Sequence, residues 1–131
     1  LSTQCVILAP ETAVGEAVTR MARAGCSEGY VVDHEQRYCG TVALAHLTAA
    51  TEDGAAAHAV SAYIDPQRPL LSLGASIWDA MGELPDFAGQ AIAVVEDPTS
   101  RRFVGVIEEA TLTRVYMEKT DELRREEHGS G

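Results

Sequence analysis

The stretch GYVVDHEQRYCGTVALAHL, residues 29–47, decides the fold of this chain. It begins with an apolar, β-branched run, continues through the polar residues 34–37, and returns through a second apolar run that holds one glycine. This pattern predicts a β-hairpin with a polar turn. The residues after Ala43 change to helical spacing, so the second strand is expected to lead directly into a helix.

The same order of features returns further along the chain. The stretch AVVEDPTSRRFVGVIEEATL, residues 93–112, again places two apolar runs around a polar turn. An offset of 63 residues aligns Val31 with Val94, and after two extra residues in the second turn an offset of 65 aligns Gly40 with Gly105. Self-similarity at such a distance indicates a tandem repeat.

Each repeat is predicted to consist of a strand, a helix, two strands and a second helix. Residues 13–24 carry one apolar face at helical spacing and end before Gly25, a natural helix stop. Residues 76–84 are predicted to form the equivalent helix of the second repeat, whose last helix is expected to begin near Glu109. Neither repeat, at about 45 residues, buries much core alone, so the two are expected to pack on each other.

The repeats and the segment between them define the predicted domain organisation. The connector is rich in alanine and is expected to turn and then form a short helix into Tyr63. The predicted divisions are 1–52 for the first repeat, 53–68 for the connector, 69–118 for the second repeat, and 119–131 for the end of the last helix and the tail.

Composition excludes several classes of protein. A formal net charge of −10 argues against nucleic acid as a partner, because binding to phosphates requires a basic surface. No apolar run approaches the ~20 residues needed to span a bilayer. The three cysteines Cys5, Cys26 and Cys39 are an odd number without a C-x-x-C motif, which argues against a disulfide framework. Cys5 and Cys39 lie in strand-like runs and are interpreted as buried thiols, and a reducing cytoplasm fits this interpretation. The chain begins LSTQ, and we expect it to be a piece of a longer protein.

No pattern of catalytic or metal-binding residues is found in the sequence. There is no P-loop, Ser-His-Asp set or Cys-His set, so an enzyme is disfavoured and no catalytic residue is predicted. His34, His46 and His58 lack ligand spacing with the cysteines, which disfavours a metal site. Trp78 is predicted to lie in the core or in a dimer interface.

The two β-α-β-β-α repeats, with GYVVD and GTV in the first and IAVVED and GVI in the second, resemble the CBS domain pair, also called the Bateman module. The resemblance covers about residues 4–118. It implies an α+β fold in which tandem CBS domains pack as a pseudo-two-fold disc, a homodimer through the helices, and clefts that take adenosine nucleotides. It also implies a regulatory, non-catalytic role.

A second resemblance concerns the end of the chain. The predicted helix TLTRVYMEKTDELRR is similar to the C-terminal cytoplasmic part of chloride channel and transporter proteins. This similarity favours a membrane transporter as the attached domain and a cytoplasmic location for the module.

The family's ligand signature is glycine, two apolar residues, Thr or Ser, two free positions and Asp. The hydroxyl lies near helix N–H groups that suit a phosphate, and the Asp accepts hydrogen bonds from the ribose hydroxyls. In the first repeat the hydroxyl and carboxylate positions are occupied by Ala43 and His46, and in the second by Glu108 and Thr111. Both copies therefore depart from the signature.

Two clefts follow from the resemblance. The better preserved one is predicted to contain Gly29, Tyr30, Val31, Val106, Glu108 and Thr111, and the degenerate one Ala43, His46 and Ala93. Tyr30 is either a ring that stacks on adenine or an ordinary strand tyrosine. The turn arginines Arg37, Arg101 and Arg102 are either solvated or contacts for phosphates.

These observations lead to two functional hypotheses. The first is a regulatory module that dimerises, needs no cofactor and carries a degenerate nucleotide motif. The second is a working sensor of AMP, ADP or ATP. Titration with these nucleotides separates the two.

Overall fold

A computed structural model of the chain describes residues 6–68, 70–73, 91–108, 117, 118 and 121. The predictions for Cys5, for the helix at 76–84 with Trp78, and for Thr111 lie outside the described residues. Of the predicted last helix, only Met117, Glu118 and Asp121 are described, and they are helical.

The described elements follow the predicted order, and the α+β class is confirmed. In chain order they are β1 (Val6–Leu8), α1 (Val14–Ala24), β2 (Glu28–Val32), β3 (Tyr38–Ala43), α2 (Leu44–Glu52), a 3-10 helix (Val60–Tyr63), β4 (Leu70–Ser72), β5 (Ala91–Val95) and β6 (Phe103–Glu108).

The strands form two three-stranded sheets with the same topology. In each, the first strand pairs parallel with the second and the second pairs antiparallel with the third. Val31 pairs with Gly40, and Val94 pairs with Gly105, so the offsets of 63 and 65 residues hold in space as well as in sequence. The strand register shifts directly after Val31 in the first sheet and directly after Val94 in the second, so both sheets have the same irregularity at equivalent positions.

Helix α1 has one buried apolar face and ends at a glycine. Val14, Ala17 and Met21 are fully buried and recur at helical spacing on one face, which covers sheet β1-β2-β3. The helix ends where Gly25 takes a left-handed conformation with φ of 69° and donates its N–H to the carbonyl of Ala22. The prediction for residues 13–24 is therefore confirmed to within one residue.

Two apolar clusters divide the core. The first joins α1, α2 and the 3-10 helix to one face of the first sheet. The second lies between the two sheets, because Tyr30 and Tyr38 of the first repeat pack there with side chains of the second. The second-repeat members are Leu70, Ala91, Ala93, Val95, Phe103 and Val106.

The two polar turns meet each other through a reciprocal pair of backbone hydrogen bonds. Tyr38 donates its N–H to the carbonyl of Arg101 at 2.8 Å, and Phe103 donates its N–H to the carbonyl of Gln36 at 2.8 Å. Gln36 and Arg101 both have positive φ, at 66° and 55°. Since 65 residues separate Tyr38 from Phe103 and Gln36 from Arg101, this contact obeys the pseudo-two-fold relation between the repeats.

The connector crosses the free edge of the first sheet. Val60, at the start of the 3-10 helix, donates its N–H to the carbonyl of Thr12 at 2.9 Å, and Asp65 donates its N–H to the carbonyl of Thr41 at 2.9 Å. The short helix expected before Tyr63 is confirmed as this 3-10 turn. Within the described part of the chain, no helix is both long enough and apolar enough to cross a bilayer.

Candidate functional site

The ligand signature of the first repeat lies where β3 passes into α2. Ala43 ends the strand and caps the helix without a side-chain hydrogen bond. His46 is exposed in the first turn of α2, and its ring meets the ring of Tyr63 edge-on at 5.5 Å. Leu44 donates its backbone N–H to the carbonyl of Ser27 at 2.8 Å, so one donor at this helix start is already used.

The glycine of this signature makes room for the connector. Gly40 has φ of 154°, and a Cβ added there would overlap the Cγ2 atom of Ile64. The adjacent hydrogen bond from Asp65 to Thr41 holds Ile64 in this place. The close backbone approach that glycine permits is therefore made by the chain itself.

The residues predicted for the better preserved cleft are only partly brought together. Tyr30 and Val106 share the cluster between the sheets. Val31 belongs to the other cluster, and a Cβ at Gly29 would touch Leu8 and Met21 on that same side. Strand β2 thus directs alternate residues to opposite faces.

The remaining candidates also separate. Glu108 is exposed at the end of β6, opposite Ala91 in the strand pairing. Ala93, expected beside Ala43 and His46, is buried between the sheets with Tyr30. Tyr30 is buried, with 3% of its surface exposed, and its ring stacks on the ring of Phe103 with 6.1 Å between the ring centres. Tyr30 therefore lies in the interface between the repeats.

An ion-pair network that the sequence did not predict joins the connector to both repeats. Arg68 donates Nη1–H to Oε2 of Glu28 at 2.6 Å and Nε–H to Oδ2 of Asp65 at 3.1 Å. The side chains of Arg68 and Glu28 are 14% and 9% exposed. The backbone N–H of Ala91 also bonds the Glu28 carboxylate. Because its partners are 40 residues apart, no local pattern could reveal this network.

Two effects compete at these carboxylates. Burial raises the pKa of Glu28, and the positive charge of Arg68 and its hydrogen bond offset only part of that rise. The backbone N–H of Gln67 is the main cause that lowers the pKa of the partly exposed Asp65, with Arg68 adding to the effect. Asp65 therefore stays ionised more readily than Glu28.

A pocket of about 170 Å³ lies beside this network. It is bounded by residues 38–40 of β3, residues 64–66 of the connector, Arg68, Leu70 and Arg101. None of the predicted cleft residues that the structure describes is part of its wall. The sequence identifies Arg101 only as a turn arginine, and the fold brings it to the same pocket as Arg68.

Arg101 is held firmly at this pocket. Its Nε–H bonds the carbonyl of Tyr38 at 3.2 Å, and its guanidinium lies 5.6 Å from the centre of the Tyr38 ring. Tyr38 in turn shares a hydrogen bond of 2.6 Å with the hydroxyl of the buried Thr41. In the described ranges, no carboxylate lies within ion-pair distance of Arg101.

No candidate metal centre emerges from the part of the chain that is described. His, Cys, Asp and Glu side chains do not gather there in groups of three or more. Cys26 and Cys39 are free thiols, and burial is the main cause that raises the pKa of Cys39. At neutral pH this thiol is therefore protonated and a weak nucleophile.

The sequence of the first repeat is similar to a known family. Residues 1–53 match the family model of the CBS domain. No curated protein sequence matches the chain. The comparison with solved structures extends the likeness to both repeats.

Three similar structures have the same architecture. A CBS domain pair/ACT domain protein from Thermotoga maritima has 18% identity and a TM-score of 0.74, covering 91% of this chain and 93% of that one. CBSX2 in complex with AMP has 16% identity and a TM-score of 0.69, covering 89% and 90%. The soluble part of a magnesium transporter has 16% identity and a TM-score of 0.73, covering 89% of this chain and 45% of that one. The chain has the fold of a CBS domain pair.

Proposed function

We propose that this CBS domain pair is a non-catalytic regulatory module of a larger protein, in which the nucleotide signature has been replaced. The observation that carries the proposal is the junction of β3 and α2. Its two ligand-bonding positions hold Ala43, which has no hydroxyl, and His46, whose ring packs against Tyr63. Each lost charged hydrogen bond removes about 1.5–3 kcal/mol, which is roughly one to two decades in affinity.

Two further contacts support this proposal. Ile64 fills the space in front of Gly40, where the signature would let a ligand approach the backbone. Glu28 neutralises Arg68 beside the same strand edge, so this cation is partly engaged before any ligand arrives. Both contacts belong to the chain's own packing.

Calorimetric titration tests the proposal. AMP, ADP, ATP and S-adenosylmethionine are titrated into the purified chain at moderate salt, and we expect no binding tighter than about 100 µM. Tighter binding that is abolished in Thr111→Val and kept in the matched variant Thr113→Val would refute the degenerate-site proposal. It would support a nucleotide sensor instead.

The nucleotide sensor is the second candidate function. It is supported by Arg101, a positioned guanidinium at the pocket without a described acidic partner, and by CBSX2, which has the same fold and holds AMP. The same titration discriminates the two candidates, because a sensor must bind one of these nucleotides in the micromolar range.

The proposed context is the cytoplasmic side of a membrane transporter, with a homodimer formed through the CBS helices. The transporter context is supported by the similar soluble part of a magnesium transporter and by the chloride-channel-like C-terminal sequence. Hydrophobic spans in the coding sequence next to residues 1–131 are expected, and a catalytic domain there would contradict the proposal. Sedimentation equilibrium tests the dimer, since a monomer at about 100 µM would exclude a stable one.

We further propose the domain organisation predicted from the sequence, with repeats at 1–52 and 69–118 and the connector at 53–68. In this organisation the connector is the route by which the two repeats influence each other. Arg68 bonds Glu28 of the first repeat and lies next to β4 of the second, which supports that role.

A further inference from the structure

The pocket beside Arg68 has room for a small group. Its volume of about 170 Å³ is several times larger than the ~30 Å³ that one water molecule occupies in the liquid. It is smaller than the pockets of about 300–1,000 Å³ that enclose whole drug-sized ligands. The pocket therefore suits a small ion or a single functional group of a larger molecule.

The wall formed by the second turn supplies a preorganised cation. Arg101 is fixed by its bond to the Tyr38 carbonyl at 3.2 Å and by its position over the Tyr38 ring. A guanidinium fixed in this way loses little conformational freedom when an anion binds it. In a chain of net charge −10, a positioned arginine without a nearby described carboxylate favours an anionic ligand.

The connector supplies the pocket wall with a second cation and with an acceptor. Arg68 is held by Glu28 and Asp65, which bond its Nη1 and Nε. Asp65 also lines the pocket, and its side chain is 40% exposed. Glu28 and Asp65 balance the charge of Arg68, so the cation that attracts an anion is Arg101, which has no ion pair among the described residues. The Asp65 carboxylate beside it favours an oxyanion that can itself donate a hydrogen bond.

We propose that this pocket binds inorganic hydrogen phosphate between Arg101 and Arg68, with the phosphate hydroxyl donating to Asp65. Sulfate has the same shape but no proton to donate at neutral pH, so Asp65 repels it. The pocket wall includes Gly40 of the first signature but none of the other signature positions that the structure describes. The proposal does not rest on the proposed loss of nucleotide binding. The bound ion would tie the connector to the turn of the second repeat.

Calorimetry with the full chain tests the site. Sodium phosphate and sodium sulfate are compared as titrants in a phosphate-free buffer of constant ionic strength. Phosphate is expected to bind saturably and at least about tenfold more tightly than sulfate. An absence of saturation up to about 50 mM phosphate, or equal binding of both ions, would overturn the proposal.

Matched variants assign the binding to the pocket. Arg101→Gln is expected to weaken phosphate binding about tenfold or more, because one charged hydrogen-bond donor is lost. Arg102→Gln removes the same charge from the neighbouring exposed position of the turn, outside the pocket wall, and is expected to change binding by less than about twofold. Equal losses in the two variants would mean unspecific charge attraction and would contradict the site.

Two further measurements sharpen the assignment. Asp65→Asn is expected to reduce the preference for phosphate over sulfate, and an unchanged preference would contradict the role of Asp65. Circular dichroism confirms that each variant folds. Tight AMP binding that phosphate displaces would refute a separate small-anion site, whereas phosphate binding with no AMP binding would support it. The nucleotide proposal and this one can therefore fail independently.

Discussion

Glu28 of the first repeat and Arg68 of the connector form a mostly buried ion pair, with 2.6 Å between Oε2 and Nη1. The Glu28 carboxylate also accepts the backbone N–H of Ala91 from the second repeat. This carboxylate thus connects the first repeat, the connector and the second repeat. The loss of this one side chain would therefore weaken both the contact with the connector and the interface between the repeats.

Removal of this carboxylate should destabilise the fold measurably. Glu28→Ala leaves the mostly buried Arg68 guanidinium with Asp65 alone, and we expect the free energy of unfolding to fall by about 1.5–3 kcal/mol. Urea denaturation followed by circular dichroism measures the loss. The control is Glu11→Ala, whose carboxylate meets the exposed His34, and it should cost about 0–1 kcal/mol. Similar losses in both variants would contradict the structural role of Glu28.

Gly40 should tolerate no side chain. Gly40→Ala would place a Cβ against Ile64, and we expect a loss of about 1–3 kcal/mol in the free energy of unfolding from overpacking. Gly54→Ala is the control, because Gly54 also has positive φ but has open space around its Cβ position. The double variant Gly40→Ala with Ile64→Ala should recover part of the loss relative to the two single changes. Full additivity would show that Ile64 is not the obstacle.

The hairpins could be predicted from the sequence because they depend on neighbouring residues. The runs around Gly40 and Gly105 alternate apolar side chains, and a polar turn separates each pair of strands. The same local pattern gave helix α1, whose buried positions follow from one apolar face. The contact between the two turns was not predicted, because it depends on how the repeats pack.

The arrangement of the candidate site could be predicted only in part, because connector residues make several of its contacts. Ile64 reaches Gly40 across 24 residues and Arg68 reaches Glu28 across 40, and neither pairing leaves a periodic signal. The interpretation of Ala43 and His46 came from a signature of adjacent residues, which a sequence does carry. Tyr30 could be assigned to β2 from the sequence, but its stacking on Phe103 depends on how the repeats pack.

The hydrogen bond between Tyr38 and Thr41 should show strong coupling. Tyr38→Phe leaves the buried hydroxyl of Thr41 without this partner, and Thr41→Val does the reverse. Each single change should cost about 1–3 kcal/mol, whereas the double variant should cost clearly less than their sum. Chemical denaturation of the unchanged chain, the two single variants and the double variant completes the double-mutant cycle. Additive losses would mean that the two hydroxyls do not depend on each other.

The stability of the fold against acid should depend on Asp33. Its carboxylate accepts the N–H groups of Arg37 and Glu35 at 2.9 Å, and the Arg37 N–H is the main cause that lowers its pKa below the ordinary 3.8. Because the folded pKa is the lower one, this stabilisation is complete well above pH 3.8 and is lost as the pH falls through the folded pKa.

Asp33→Asn should therefore make the melting temperature depend less on pH than in the unchanged chain, over the range from about pH 6 to about pH 2. The buried Glu28 acts in the opposite direction, since its raised pKa favours the fold at low pH, but it is the same in both proteins. Asp53→Asn, which removes an exposed carboxylate at the end of α2, is the control. Parallel curves for Asp33→Asn and the unchanged chain would contradict the assignment.

Restoring the signature in the first repeat should create nucleotide affinity. Ala43→Thr together with His46→Asp supplies the hydroxyl and the carboxylate that the family signature places at the start of α2. Both changes suit a helix N-terminus, because Thr caps it and Asp interacts favourably with its dipole, so the double variant is expected to fold. Calorimetry should then detect AMP with an affinity about 100-fold or more above that of the unchanged chain.

The matched control introduces the same residue types away from this junction. Ala22→Thr with His34→Asp changes two exposed positions, on α1 and in the first turn, and should bind AMP no better than the unchanged chain. If the restored variant folds but still fails to bind AMP, the two side chains do not by themselves account for the lost affinity. The packing of Ile64 against Gly40 would then be the obstacle, and Ile64→Ala in the restored variant should open the cleft.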